Sequence, residues 1–215
     1  MIKKHKWTLL VGSLIILLPV LAGLLLWDRL PEQIATHWGP TGEADGWSSK
    51  PFAVIGLPGI LLALHWICVL ATNLDPKNKN QHQKPMTLVL WIVPILSVLL
   101  GTLTLGTALG WEPDVSMLMP LFMGVLFLFI GNYMPKCTHN YTIGIKIPWT
   151  LNSEENWNAT HRFAGKVWFI GGFLMMLCGF LPGIWMAVGV CVLVLILVVI
   201  PIVFSWRFYK KEANA

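Results

Sequence analysis

Long apolar stretches separated by short polar loops constrain the fold of this chain more than any other feature. An α-helix rises about 1.5 Å per residue, so about 20 apolar residues cross the roughly 30 Å hydrocarbon layer of a membrane. Backbone polar groups find no water in that layer, and no stretch alternates like a barrel strand, so each crossing must be helical. The sequence therefore predicts an all-α integral membrane protein with six transmembrane helices, at residues 7–27, 52–72, 87–109, 117–133, 167–181 and 184–206.

The positions of Lys and Arg predict the orientation of these helices, because basic residues accumulate in short cytoplasmic loops. With the N-terminus inside, only Arg29 and Lys50 fall on the outer side. Both termini are then cytoplasmic, residues 28–51 form a small extracellular cap, and residues 134–166 form a structured cytosolic loop. The formal net charge of +5 is explained by this topology. It indicates contact with anionic membrane lipid and not direct binding of nucleic acid.

The same pattern divides the chain into three parts. Residues 1–73 are expected to form a two-helix unit with the extracellular loop, residues 74–133 a central helical hairpin, and residues 134–215 the cytosolic loop with the last two helices. The four cysteines show no C-x-x-C spacing, so the sequence predicts neither a zinc site nor any other cofactor.

The outer loop has the composition of a β-hairpin. Residues 33–38 mix β-branched and aromatic side chains, and glycines with Pro40 and Asp45 give turn signals after them. His37 lies near Glu32, Glu43 and Asp45 in the sequence. One histidine among loosely spaced carboxylates fits an ordinary hydrogen-bonded loop better than a metal site.

His65 is the clearly ionisable side chain inside a predicted span. An intramembrane histidine is a candidate functional residue, because hydrocarbon disfavours its charged form. The alternative is a neutral imidazole bonded to a neighbouring helix, and this second interpretation is favoured.

The long polar loop before the fifth span ends in a predicted helix that runs into that span. Asn152 or Ser153 can cap it, and Trp157 and His161 follow at a spacing that places them one turn apart on one face. Three interpretations of this face remain open. It can lay tryptophans on the membrane surface. It can bind a cytosolic protein, with Lys146 or Arg162 as anchors. A catalytic role for His161 or His139 fits least well, because no nucleophile or carboxylate has a recognised spacing to either.

The loop also resembles the signature of the SdpI family of bacterial immunity proteins. The residues that carry the resemblance are Asn140, Gly144, Lys146, Pro148, Trp149, Thr150, Leu151, Trp157, Thr160, His161 and Gly165, and Arg162 lies among them. The outer loop is similar to the uncharacterised domain that commonly precedes this signature, through Leu30, Pro31, His37, Gly42, Asp45 and Lys50.

The resemblance implies a multi-pass protein of the bacterial cytoplasmic membrane that protects its cell from a secreted killing peptide, without enzymatic activity. It also implies a receptor role, in which the protein holds a DNA-binding repressor at the membrane. Pro31, His37, Gly42, Asp45 and Lys50 would face the peptide, and the signature residues would face the repressor. The alternatives are a membrane enzyme or small-molecule transporter that uses His65, His139 or His161, and a membrane scaffold.

Overall fold

The computed structural model describes residues 2–77 and 83–214. The chain divides into two compact units. The first consists of Met1–Asn73 and Val89–Val115, and the second of Leu74–Leu88 and Ser116–Ala215.

Within the described residues, five helical segments are long and apolar enough to cross a membrane: Lys6–Leu25, Phe52–Leu74, Lys84–Ala108, Val115–Lys136 and Ile184–Ala213. They match five of the six predicted spans to within a few residues, except that the last continues well beyond residue 206. Helices α1 (Lys6–Ile16) and α2 (Leu18–Leu25) form the first segment, with a break at Leu17. The break precedes Pro19, whose missing N–H removes one helical hydrogen bond.

The remaining predicted span, at residues 167–181, is not a separate helix. It is the apolar second half of α7 (Glu154–Cys178), and the chain leaves helical structure soon after it. The first half of α7 carries Glu154, Glu155, Arg162 and Lys166, so the helix as a whole is too polar to be one of the five segments. From Val167 to Cys178 it rises only about 18 Å, which is less than the hydrocarbon thickness.

The first unit places a β-hairpin on the end of a small helical bundle. Strands β1 (Gln33–Trp38) and β2 (Ala44–Ser49) pair antiparallel, as the composition of the outer loop predicted. A π-helical turn at Phe52–Gly56 leads into α3 (Leu57–Leu74), and α4 (Gln83–Ala108) supplies the neighbouring helix. Leu30 and Ile34 pack with Val54 and Leu105 in a buried cluster, so the hairpin is attached to the helices by apolar contact.

The second unit contains α5 (Val115–Tyr133), α6 (Pro148–Asn152), α7 and α8 (Ile184–Ala213). Helices α5 and α7 cross where Gly131 lies on Gly165, so closely that a Cβ at Gly131 would come within 2.8 Å of the Gly165 carbonyl oxygen. Small residues permit this approach. On the other side of α7, the Trp168 indole N–H donates to the Leu197 carbonyl of α8 at 3.0 Å. Pro201 lacks the N–H that would normally bond that carbonyl, so the indole replaces it.

Candidate functional site

Trp157 forms the centre of the folded loop that precedes α7. Its side chain is 0% exposed, and its indole N–H donates to the Cys137 carbonyl at 2.8 Å. The His161 ring stacks on it with a centroid distance of 4.0 Å, and the His139 ring lies 5.1 Å away. The predicted neighbourhood of Trp157 and His161 is confirmed. One large ring therefore joins the start of the loop to the helix that follows it.

His161 holds the loop through both of its ring nitrogens. Nδ1 donates to the Trp157 carbonyl at 2.8 Å, and Nε2 accepts from the Ile145 N–H at 2.9 Å. Only a neutral imidazole can donate from one nitrogen and accept at the other. Burial lowers the pKa of His161 to about 4, the bond to the Trp157 carbonyl opposes this shift, and His139 adds to it. Neither nitrogen is left to transfer a proton, which weakens the catalytic hypothesis for this residue.

Gly144 allows the loop to approach His161. Its backbone φ is +121°, a conformation that residues other than glycine rarely adopt. A Cβ there would also collide with Nε2 of His161, the atom that accepts from the next residue, Ile145.

Asn140 and Asp75 fix the first turn of the loop. The Asn140 amide is 0% exposed, donates to the carbonyls of Thr138 and Ile143, and accepts from the Ile143 N–H at 2.6 Å. The Asp75 carboxylate accepts from the Tyr141 N–H at 2.7 Å. Asp75 lies 66 residues earlier in the chain, so it ties a distant segment to this turn.

Thr150 closes the second turn. Its hydroxyl is buried, accepts from the Ile147 N–H at 3.1 Å and lies 2.8 Å from the Ile145 carbonyl oxygen. Pro148 is the first residue of α6, where its missing N–H costs no helical bond. The Leu151 carbonyl then accepts from Nε2 of His139 at 3.0 Å.

A buried polar cluster joins α7 to α8. Ser153 caps α7 by accepting from the Asn156 N–H at 3.0 Å. The Asn156 amide oxygen accepts from the hydroxyls of Thr160 at 2.9 Å and Ser205 at 2.6 Å, and its NH₂ donates to the Ser205 carbonyl. Each of Asn156, Thr160 and Ser205 is 0% exposed, so each needs the others as partners.

The residues predicted to face a ligand from the outer loop differ in their exposure. Pro31, His37 and Asp45 are exposed, and Nδ1 of His37 hydrogen bonds Asp45 Oδ1 at 2.5 Å. Gly42 supplies the turn with a φ of +83°. In the part of the chain that the structure describes, no three His, Cys, Asp or Glu side chains lie close enough together to hold a metal.

Lys50 does not face outward. It is 6% exposed, and its ammonium pairs with Glu32 at 2.8 Å and lies 5.2 Å from the centre of the Trp27 ring. Its charge therefore attaches the hairpin to the residues that follow α2, and contact of Lys50 with a ligand stays a prediction.

His65 is 1% exposed within α3. Among the described residues, neither of its ring nitrogens has a hydrogen-bond partner. The predicted bond to a neighbouring helix is therefore not formed.

Comparison with known proteins identifies the folded loop and the helices that hold it. Residues 136–205 match the SdpI/YfhL protein family, and residues 14–62 match a domain of unknown function, DUF1648. The immunity protein SdpI of Bacillus subtilis (strain 168) is 29% identical over 202 residues, covering 94% of this chain and 96% of the relative. The chain is therefore similar to the SdpI/YfhL protein family in residues 136–205, and to the immunity protein SdpI along most of its length. No solved structure matches it significantly. The five long apolar helices and the similarity to SdpI together show that the chain is a multi-pass cell-membrane protein.

Most SdpI/YfhL signature residues are internal to the folded region. The buried ones are Asn140, Thr150, Trp157, Thr160, His161 and Gly165. The interpretation that Trp157 and His161 form an exposed face, toward membrane or partner, is therefore wrong. Lys146, Pro148 and Arg162 are exposed, and Trp149 is half-buried, with its ring stacked on Tyr209 at 6.2 Å. The exposed charged residues of the signature, Lys146 and Arg162, are both basic.

Several residues that hold this region together carry no signal in the sequence. Asp75 lies in a short polar stretch between two apolar ones, and nothing nearby in the sequence marks its contact with Tyr141. Ser205 lies in an apolar run. Asn156 was detectable in principle, because it stands four residues before Thr160 on the same helical face.

Acidification is expected to loosen the loop at residues 134–166, called here the SdpI/YfhL loop. Because the pKa of His161 is about 4 in the folded protein and 6.5 in the reference state, the unfolded chain binds a proton between these values that the folded one does not. Stability should therefore fall as the pH drops from about 6.5 to about 4, and level off below that. Limited proteolysis of the loop in detergent-solubilised protein, as a function of pH, measures this. His161→Gln should be cleaved faster at pH 7 but with a flatter pH dependence, and an equal dependence would contradict the assignment to His161.

Proposed function

We propose that this protein is a membrane immunity protein that protects a bacterial cell from a secreted killing peptide and catalyses no reaction. The observation that carries the proposal is the match to the immunity protein SdpI of Bacillus subtilis over 94% of the chain. The match covers both the first unit, the hairpin unit, and the second unit, with the signature residues. A match confined to the signature would have left the hairpin unit without a proposed role.

The hairpin is proposed to face the outside and the SdpI/YfhL loop to face the cytosol. The charges support this orientation: the hairpin side carries Asp28, Glu32, Glu43, Asp45, Glu112 and Asp114 against two bases, whereas the loop carries exposed Lys146 and Arg162. The apolar half of α7 lies along α8 through the Trp168 bond, and it is proposed as a sixth, short crossing. A reporter fused after Asn152 should be active in its cytosolic form. Activity of an extracytoplasmic reporter at that position would invert the orientation.

The cytosolic surface is proposed to bind a DNA-binding repressor. Lys146 directly follows Ile145, and Arg162 directly follows His161, and the Ile145–His161 hydrogen bond holds these two positions together. These two exposed bases are proposed to form a basic patch, which would suit an acidic surface of a protein partner. α7 runs from this patch through the second unit and is the proposed route by which peptide binding changes repressor affinity.

Expression in a bacterium sensitive to the killing peptide of the Bacillus subtilis system tests the immunity role. The wild-type chain should raise the inhibitory peptide concentration at least about tenfold, which corresponds to a modest difference in binding free energy. Unchanged sensitivity, with the protein present in the membrane at a normal level, would reject the immunity role for that peptide.

The charge-reversal pair Lys146→Glu and Arg162→Glu tests the repressor role separately. It should abolish recruitment of the fluorescently labelled repressor of the Bacillus subtilis system to peptide-treated membranes. Immunity should remain, because both side chains are exposed and far from the hairpin in sequence. The matched control is Lys210→Glu with Lys211→Glu, which reverses two bases at the end of α8. Equal recruitment by the two double variants would contradict a specific basic patch.

A further inference from the structure

The first unit contains a cavity of about 140 Å³ between the hairpin and the helices. Its lining is mostly apolar and comes from α2, β1, α3 and α4 and the π-helical turn. Residues that matter to the argument are Thr36, Trp38, Leu57, Ile60, Leu61 and Leu100. Ile60 lines the cavity and is itself 55% exposed, so it stands at the cavity's edge.

The size of the cavity fits a single apolar side chain. An apolar protein cavity of about 150 Å³ stays dry and takes up benzene, which is the ring of a phenylalanine. Two of the polar lining side chains are already used within the unit: the Thr36 hydroxyl hydrogen bonds Ser48 at 2.8 Å, and the Ser97 hydroxyl donates to the Ile16 carbonyl at 2.9 Å. The cavity therefore selects shape and apolar character, and offers little to a polar ligand.

The charge around the cavity distinguishes between the possible occupants. The connections at this end carry six carboxylates, at positions 28, 32, 43, 45, 112 and 114, against Arg29 and Lys50. Lys50 and Glu32 form an ion pair and cancel each other, which leaves five carboxylates against Arg29. A surface of this charge repels the phosphate of an anionic lipid and attracts a basic segment. It therefore favours a peptide with an apolar side chain beside basic residues over a lipid tail.

We propose that this cavity is the binding site for one aromatic or leucine side chain of the killing peptide, with the acidic surface holding the basic part of the peptide. The inference rests on the proposed immunity function and adds the place and chemistry of recognition. On this basis the hairpin is the outer wall of the binding site, and its attachment through Lys50 and Leu30 keeps that wall in position.

Two matched pairs of variants test the site in intact membranes. Photoreactive p-benzoylphenylalanine at Ile60 lies at the edge of the cavity, whereas at Leu64, which is 45% exposed, it lies one turn further along α3 and outside the lining. Both positions are exposed, so neither probe should impair folding. With the Bacillus subtilis killing peptide as the ligand, Ile60 should give a peptide adduct and Leu64 should not. Lipid adducts alone at both positions would overturn the proposal.

The second pair fills the cavity. Leu61→Trp, or Leu57→Trp from another side, should reduce peptide binding to nanodisc-embedded protein about tenfold or more, because burial of one large apolar side chain contributes at least that factor. Leu64→Trp should leave binding unchanged. Peptide binding without protection by the wild type would reject the immunity function and leave the site standing. Protection and binding retained in both filled variants would overturn the site and leave the function standing, and no binding by the wild type would overturn both.

Discussion

Replacing Trp157 with alanine should unfold the SdpI/YfhL loop, with the largest loss of stability that we expect from any single substitution in the second unit. The side chain is 0% exposed, stacks on His161 and donates to the Cys137 carbonyl. Removing a buried tryptophan costs about 3–5 kcal/mol through lost burial and the cavity left behind. The Cys137 carbonyl also loses its donor. Thermal unfolding of the detergent-solubilised protein, together with proteolysis of the loop, measures the effect.

Trp185→Ala is the matched control, because Trp185 lies in the same unit and is 65% exposed. Its effect should remain within about 0.5 kcal/mol, as for most exposed positions. If Trp157→Ala and Trp185→Ala destabilised the protein equally, Trp157 would not be the centre of the loop. Trp157→Phe should fall between them, because it keeps most of the ring but loses the N–H donor.

The bilayer explains why the sequence predicted most of the fold. A span must be long, apolar and helical, and those three requirements are visible without knowledge of tertiary contacts. The hairpin was predictable for a similar reason, since the turn signals around Gly42 and Asp45 are local. The helix predicted in the loop does run into the apolar residues from Val167 on, as one continuous α7. Whether this short apolar run crosses the membrane stays a prediction. Where a helix begins is decided by its cap, and Ser153 places that cap well before the apolar residues.

The orientation of the candidate site could not be predicted in the same way. The spacing of Trp157 and His161 fixes which residues share a helical face, but not what that face packs against. The preceding loop covers this face, and the loop is held by Asp75 from a distant part of the sequence. The burial of Lys50 was hidden for the same reason, because its partners Trp27 and Glu32 become neighbours only after the hairpin forms. Exposed bases such as Lys146 were easier to predict.

Gly144→Ala is expected to detach the loop from α7, with the second-largest effect. At a φ of +121° any Cβ is strained, which costs about 1–3 kcal/mol. The same Cβ meets Nε2 of His161 and lies 3.1 Å from the Trp157 ring, so the loop must move and the Ile145–His161 bond must break. Leaving a buried acceptor unpaired costs about a further 1–3 kcal/mol. The thermal midpoint of the purified protein and the rate of amide exchange at Ile145 report the two contributions.

Gly183→Ala is the control that distinguishes backbone strain at a positive φ from collision of the new Cβ with neighbouring atoms. Gly183 also has a positive φ, of +53°, but a Cβ there meets nothing within 4 Å. This variant should show strain alone, while Gly144→Ala should show strain, rapid exchange at Ile145 and loss of repressor recruitment. The last effect is expected because Lys146 directly follows Ile145, whose N–H is bonded to His161. Equal losses in the two variants, with Ile145 still protected, would mean that Gly144 is needed for its backbone conformation alone and that the basic patch does not depend on His161.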